Sequence, residues 1–205
     1  MERIVLGVFT FEMGGLAAWV QALGSIGAIF ASYFFISIQR NHDKADRDAQ
    51  LHEARVNDLS VILTCMYAMR AQGRSFENEK TGEIAFPVAP SKLRTAKTAL
   101  QMYVSTLQGF AVSSKLEPKA AAHIYGAIQT SLNLEVWIDA IYISNSRNFN
   151  NMRAHKHLIS SFNRNISALS LYKVRLELNP NAEFPNEEQI DQALKEPQWN
   201  DAVDN

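Results

Sequence analysis

Apolar residues recur along this chain at helical spacing almost from end to end, but near the N-terminus they stop alternating with charge altogether. Between residues 13 and 39 there is no charged side chain, and LAAWVQALGSIGAIFASYFFISI inside that stretch is long enough to cross a bilayer as one helix. About 20 apolar residues span roughly 30 Å of hydrocarbon. In lipid a lone segment must satisfy its own backbone hydrogen bonds, so a helix is its practical form. A cleaved leader is the competing reading. Against it, only Arg3, beside Glu2, charges the region before the span, Glu12 interrupts the apolar run, and the uncharged stretch exceeds a leader's apolar core. A buried core helix rarely stays uncharged for this length.

Past the span the period predicts that the same helix continues through RNHDKADRDAQLHEARVND, where Leu51, Val56, Leu59, Leu63 and Met66 recur at three- to five-residue spacing. Thr81-Gly82 and Phe86-Pro87-Val88-Ala89-Pro90 predict a loop, and Ser91 is the expected N-cap of a helix carrying Leu93, Leu100, Tyr103 and Leu107. Gly109 and Ser113-Ser114 close it. Pro118 suits the first turn of a helix with Ile124, Ile128, Leu132, Trp137 and Ile141. An Asn- and Ser-rich turn is expected over 145–151, then a long helix with Met152, Ile159, Phe162, Ile166, Leu169 and Leu176, ended by Asn179-Pro180. Four amphipathic helices with short loops predict an antiparallel bundle, so the fold class is all-α. The implied organisation is a short extracytoplasmic segment over 1–12, a transmembrane helix over 13–39, a cytosolic bundle over 40–180 and an acidic tail over 181–205. In that tail NEEQIDQALKEP reads either as a short acidic helix or as a segment too polar to fold.

Charge fixes the orientation. Arg40, Lys44, Arg47 and Arg55 follow the span, whereas Arg3 and the terminal amine precede it, which places the C-terminal bulk in the cytoplasm. The lone Cys65 agrees with a reducing compartment and excludes a disulfide within one chain. The net charge of −1 gives no bulk attraction to nucleic acid. Its distribution is uneven: residues 140 to 176 hold Arg147, Arg153, Lys156, Arg164, Lys173 and Arg175 without a carboxylate, and from Glu177 onward eight acidic residues face Lys195 alone.

Written in sevens, the span puts Gly14, Gln21, Ala28 and Phe35 in one row and Ala18, Ser25, Ser32 and Gln39 beside it. Ala17, Gly24, Gly27 and Ala31 flank this small or polar stripe, while Trp19, Leu23, Ile26, Phe30 and Phe34 point the other way, suitably for lipid. Lipid gives no hydrophobic reason to hide small residues, so the stripe predicts close helix approach and a homo-oligomer. The bland reading is that Gly, Ala and Ser are common in membrane helices. In a ring of three or more copies, Gln21, Ser25 and Ser32 would line a path of weak ion selectivity, Gly24 and Ala28 would sit at the helix contacts, and Phe35 would form a dewetting constriction.

No catalytic constellation is found, and a non-enzyme without cofactor or metal is expected. Gly-rich phosphate loops are absent, because five of the nine glycines precede residue 30. His155 and His157 lie two apart on a predicted helix and cannot chelate one metal ion as an i, i+4 pair would. Cys65, amid Ile62, Leu63 and Met66, reads as a buried inert thiol, and Asp139 beside Trp137 as a buried, paired carboxylate. The basic stretch suggests a binding role: Arg147, Arg153, Lys156 and Arg164 are candidates for collecting the phosphates of an anionic nucleotide, with His155 or His157 adding donors and Tyr142, Phe149 and Tyr172 offering stacking surfaces. A solvated helix face balanced by the acidic tail is the plain alternative.

The segment WVQALGSIGAIFASYFFISIQR, through Trp19, Gln21, Ala22, Gly24, Ser25 and Ile26, resembles the Trp-x-Gln-Ala-x-Gly-Ser-Ile module that opens many small bacterial membrane proteins, including anti-phage defence effectors. An N-terminal span followed by a helical cytosolic domain is similar to the tetrameric channel component of Hailong-type systems. The resemblance implies a homo-tetramer in membrane lipid, a partner nucleotidyltransferase, a nucleotide second messenger sensed by the soluble domain, and depolarisation of the infected cell. Two functions thus stand as expectations: a nucleotide-gated channel, and a non-conducting anchor whose bundle holds a partner at the membrane.

Overall fold

The computed structural model of the chain describes residues 3–6, 9–78, 81–113, 116–144 and 149–195, with side chains from Val20 onward apart from Ala22, Ser113 and 149–151. It is helical almost throughout. The elements in chain order are β1 (Arg3–Leu6), β2 (Phe9–Glu12), α1 (Met13–Arg74), α2 (Pro90–Ser113), α3 (Pro118–Ser144), α4 (Phe149–Leu178) and α5 (Glu187–Lys195). The described residues divide into two units, 1–51 and 52–205.

In the first unit, β1 and β2 pair antiparallel in the register Arg3↔Glu12, Ile4↔Phe11, Val5↔Thr10 and Leu6↔Phe9. The fold class is all-α as expected, and these two short strands are an addition to which the sequence reading assigned no element. Their residues are β-branched or aromatic at most positions, which favours a pleated strand. From residue 13 the charge-free sequence is helical and continues without a break as α1.

The second unit is an antiparallel bundle of residues 52–74 of α1 with α2, α3 and α4. Cross-helix pairs fix the directions. Lys97 Nζ meets both Asp139 carboxylate oxygens at 2.7 Å, and Gln101 Nε2 donates to Glu135 Oε2 at 3.0 Å, so α2 and α3 run opposite ways. Thr130 Oγ1 lies 2.8 Å from Ser161 Oγ, and Trp137 packs its ring on His155, so α3 and α4 do too. Tyr67 meets Ser170 at 3.3 Å, and Arg70 Nη1 donates to Asn163 Oδ1 at 3.1 Å, which sets residues 52–74 antiparallel to α4. Between these seams most of the apolar positions expected from the sequence form one core, including Leu59, Met66, Leu93, Leu100, Ile124, Phe162 and Leu169, joined by Ile62 and Ile138, whereas the expected stripe residues Leu51 and Leu132 are exposed.

Several boundaries move for local reasons. Pro90 rather than Ser91 begins α2, because Leu93 donates its N–H to the Ala89 carbonyl and proline at the first helical position sacrifices no bond. Pro118 opens α3 as expected. The 145–151 turn falls partly outside the described residues, and helix resumes by Phe149. Of the two readings left open for the acidic segment, the helix is the one formed. Asn186 and Gln189 exchange side-chain-to-backbone bonds, Gln189 N–H to Asn186 Oδ1 at 2.9 Å and Asn186 N–H to Gln189 Oε1 at 3.0 Å, a reciprocal cap that starts α5. Ile190 and Ala193 then bury against the bundle with Phe184.

Helices approach closely at Gly73. A Cβ there would stand 2.8 Å from Ile159 Cδ1 and 3.2 Å from Leu134 Cδ2, both core residues. A Cβ at Gly109 of α2 would meet nothing within 4 Å. Gly73→Val is therefore expected to destabilise the chain by about 1 to 3 kcal/mol through overpacking. Gly109→Ala should be neutral or stabilise by up to roughly 1 kcal/mol, from helix propensity. Urea midpoints of the full chain measure both.

Candidate functional site

The residues expected at a pore or helix interface, Gln21, Gly24, Ser25, Ala28, Ser32 and Phe35, all lie exposed on the first-unit part of α1. Ser25 Oγ donates to the Gln21 carbonyl and Ser32 Oγ to the Ala28 carbonyl, each at 2.8 Å. Both hydroxyls are thus satisfied one turn back on their own helix, and neither requires a second helix as a partner. A Cβ at Gly24 or Gly27 would meet nothing within 4 Å, so nothing in the described chain occupies the small-residue face. Among the described residues no helix is long and apolar enough to cross a membrane. That set leaves out the side chains of residues 13–19 and Ala22, which contribute Leu16, Ala17, Ala18 and Trp19 to the charge-free stretch.

The expected phosphate-collecting face is smaller than its sequence suggested. Arg147 lies outside the described residues. Arg153 and Lys156 are exposed on α4, three residues apart and hence on one face. Arg164 is committed to α5, where its guanidinium pairs with Glu187 and, at 3.1 Å, with Asp191. Lys173 pairs with Glu177 at 2.7 Å. The stacking candidates also separate: Tyr142 is exposed, Tyr172 is buried against Phe184 with ring centroids 5.0 Å apart, and the Phe149 side chain is not among those described.

His155 belongs to the core rather than to a ligand. It is buried, with Nε2 3.0 Å from the Gly73 carbonyl, Nδ1 3.6 Å from Glu77 Oε1, and its ring 4.9 Å from that of Trp137. A carbonyl can only accept, so Nε2 carries the proton. The imidazole ties α4 to the end of α1 and to the segment that leaves it. His157, two residues on and so on the other side of α4, is exposed. Asp139 is paired as expected, with Lys97, but exposed rather than buried. Burial pushes the Cys65 thiol up, as suits an inert side chain. No group of three metal-ligating side chains occurs among the described residues.

A polar cleft of about 330 Å³ escaped the sequence reading. It lies at the end of the bundle, lined by Arg55 of α1, Leu116 and Glu117 at the start of α3, Tyr172 and Leu176 of α4, and Pro180, Asn181 and Ala182 beyond it. Glu117 caps α3 by accepting the Ala121 N–H through its carbonyl, while its side chain acts on the Tyr172 hydroxyl. Burial first, then the negative charge of Glu117, push the Tyr172 phenol up; the Arg55 guanidinium pulls the other way. From the sequence alone Arg55 is one of the cations that follow the span. Its neighbours in the cleft are more than 60 residues distant in sequence, so only the tertiary fold assembles them.

Two predictions follow from these environments. His155→Leu leaves the Gly73 carbonyl without its donor and is expected to cost about 1 to 3 kcal/mol; His157→Leu should stay within roughly 0.5 kcal/mol. Denaturant melts compare them. For Tyr172, the unfolded phenol ionises near pH 10 while the folded one stays protonated, so its contribution is intact below that pH and is lost as pH rises through the folded value. Stability measured from pH 9 to 12 should therefore fall less steeply in Tyr172→Phe than in the wild type.

Comparison with known protein families, curated proteins and solved structures finds no match to this chain.

Proposed function

We propose that this chain is a homo-oligomeric protein of the bacterial inner membrane, anchored by the apolar part of α1, with its N-terminus outside and its bundle in the cytoplasm as a platform for a partner. The observation that carries the proposal is the apolar surface of residues 20–38. Val20, Leu23, Ile29, Phe30, Phe34 and Phe35 each leave more than three-fifths of their surface uncovered, and they occur all round the helix. Water does not tolerate so long a contiguous apolar surface, which marks contact with lipid or with other protein. Charge begins at Arg40 and is frequent thereafter, as expected where a span meets the cytoplasmic headgroups. Gly24, Ala28 and their neighbours give the span a side that a second copy can approach closely.

Gated conduction is the second reading, and Gln21 favours it. With Ser25 and Ser32 bonded to their own helix, the Gln21 amide is the polar group on the small-residue face that lies deepest in the charge-free stretch, Gln39 standing at its end beside Arg40. Copies sharing an axis would satisfy it in a water-filled path, with Phe35 as the constriction. In this form the signal is an anionic nucleotide made by a partner nucleotidyltransferase, with Arg153 and Lys156 as its exposed cations.

Assembly and conduction are tested separately. Gly24→Leu should lower the yield of cross-linked oligomer from membranes several-fold, whereas Phe30→Leu should leave it unchanged; equal yields would remove the small-residue interface. Phe35→Ser should depolarise growing cells, followed by a potential-sensitive dye, if the span conducts. An unchanged potential in a well-expressed mutant would leave the anchor as the function.

A further inference from the structure

We propose that the cleft formed by Arg55, Glu117, Tyr172 and Asn181 binds a small ligand bearing an oxyanion, phosphate or carboxylate, on the Arg55 side and a hydrogen-bond-donating amine or hydroxyl on the Glu117 side. The inference does not rest on the membrane reading, since every residue it uses lies in the second unit.

Arg55 supplies the first argument. Its Nε is buried and has no hydrogen-bond partner among the described residues. A buried, unsatisfied group on a charged side chain is costly, and a guanidinium in this state normally has an acceptor. Its planar fork matches an oxyanion bidentately. The cleft provides the space: about 330 Å³ exceeds a single water and falls at the lower end of small-molecule sites.

Glu117 decides what else the ligand carries. Its carboxylate receives the Tyr172 hydroxyl, and both it and Arg55 line the cleft, so the two opposite charges address one space. A bare oxyanion would gain from Arg55 and lose to Glu117. One that also carries an amine or hydroxyl engages both. The Tyr172 hydroxyl donates its one proton to Glu117 and so offers a ligand an acceptor, and the Asn181 side chain lines the same cleft. The start of α3 at Pro118 adds the positive end of a helix dipole.

Isothermal titration of the full chain in detergent, with four probes, tests this. Phosphoethanolamine and β-alanine each combine an oxyanion with an amine; inorganic phosphate and acetate lack the amine. Saturable binding is expected for at least one of the first pair, at least about tenfold tighter than for its partner without the amine. Which of the two binds tells phosphate from carboxylate. Arg55→Gln should weaken that binding at least tenfold, Arg55→Lys should weaken it less, and Arg94→Gln, exposed on α2 and outside the cleft, should leave it unchanged. Glu117→Gln should abolish the advantage of the amine-bearing probe and improve binding of the bare anion. If Arg55→Gln fails to fold, the Arg55 Nε–H resonance in the wild type serves instead, since bound probe must shift it. No saturable binding by any probe, unaltered affinity in Arg55→Gln, or an Nε–H signal indifferent to bound probe would each overturn the proposal.

Discussion

The large apolar side chains of residues 20–38 find no cover within the described chain, and most of what is unusual about this protein is a response to that. A helix with one apolar stripe is stabilised by laying that stripe on a neighbour, as residues 52–74 do with Leu59, Ile62, Met66 and Met69. A helix that is apolar all round has no such solution in water. It needs a solvent or a partner that is apolar on every side, and in the function proposed above the same α1 serves two surroundings in succession.

Within the bundle, the register of the helices is specified by polar pairs set beside the core. Tyr67 with Ser170, Arg70 with Asn163, Thr130 with Ser161 and His123 with Asn165 each join two helices at one height. Such pairs contribute modestly to stability. Their mismatch on a slipped register would leave buried polar atoms without partners, which is the larger penalty. His155 extends the seam to the Gly73 carbonyl and to Glu77. At the opposite end of α4 the same logic is incomplete, because Arg55 enters a cleft with its Nε unmatched.

The helices were legible because periodicity and proline punctuation are local signals. Pro118 and Asn179-Pro180 bound α3 and α4 where the sequence placed those limits, and Leu100, Ile124 and Phe162 face the core as their spacing required. The hairpin over 3–12 was not anticipated, since four-residue strands leave little pattern to read. Site residues were harder for a different reason. Arg164 looked available because its partners, Glu187 and Asp191, sit on a helix whose formation depends on the Asn186–Gln189 cap. His155 looked available because sequence spacing shows which face a residue takes but not what that face meets. Arg55 became distinctive only once the fold had brought Glu117 and Tyr172 beside it.

The central claim is that the apolar part of α1 resides in lipid, and cysteine accessibility tests it most directly. With Cys65 replaced by Ala, single cysteines at Ile26, Phe30, Phe34 and Asp46 would be probed in inside-out vesicles with a membrane-impermeant maleimide. The account predicts protection at positions 26, 30 and 34 and rapid labelling at 46. Rapid labelling at all four positions would contradict it.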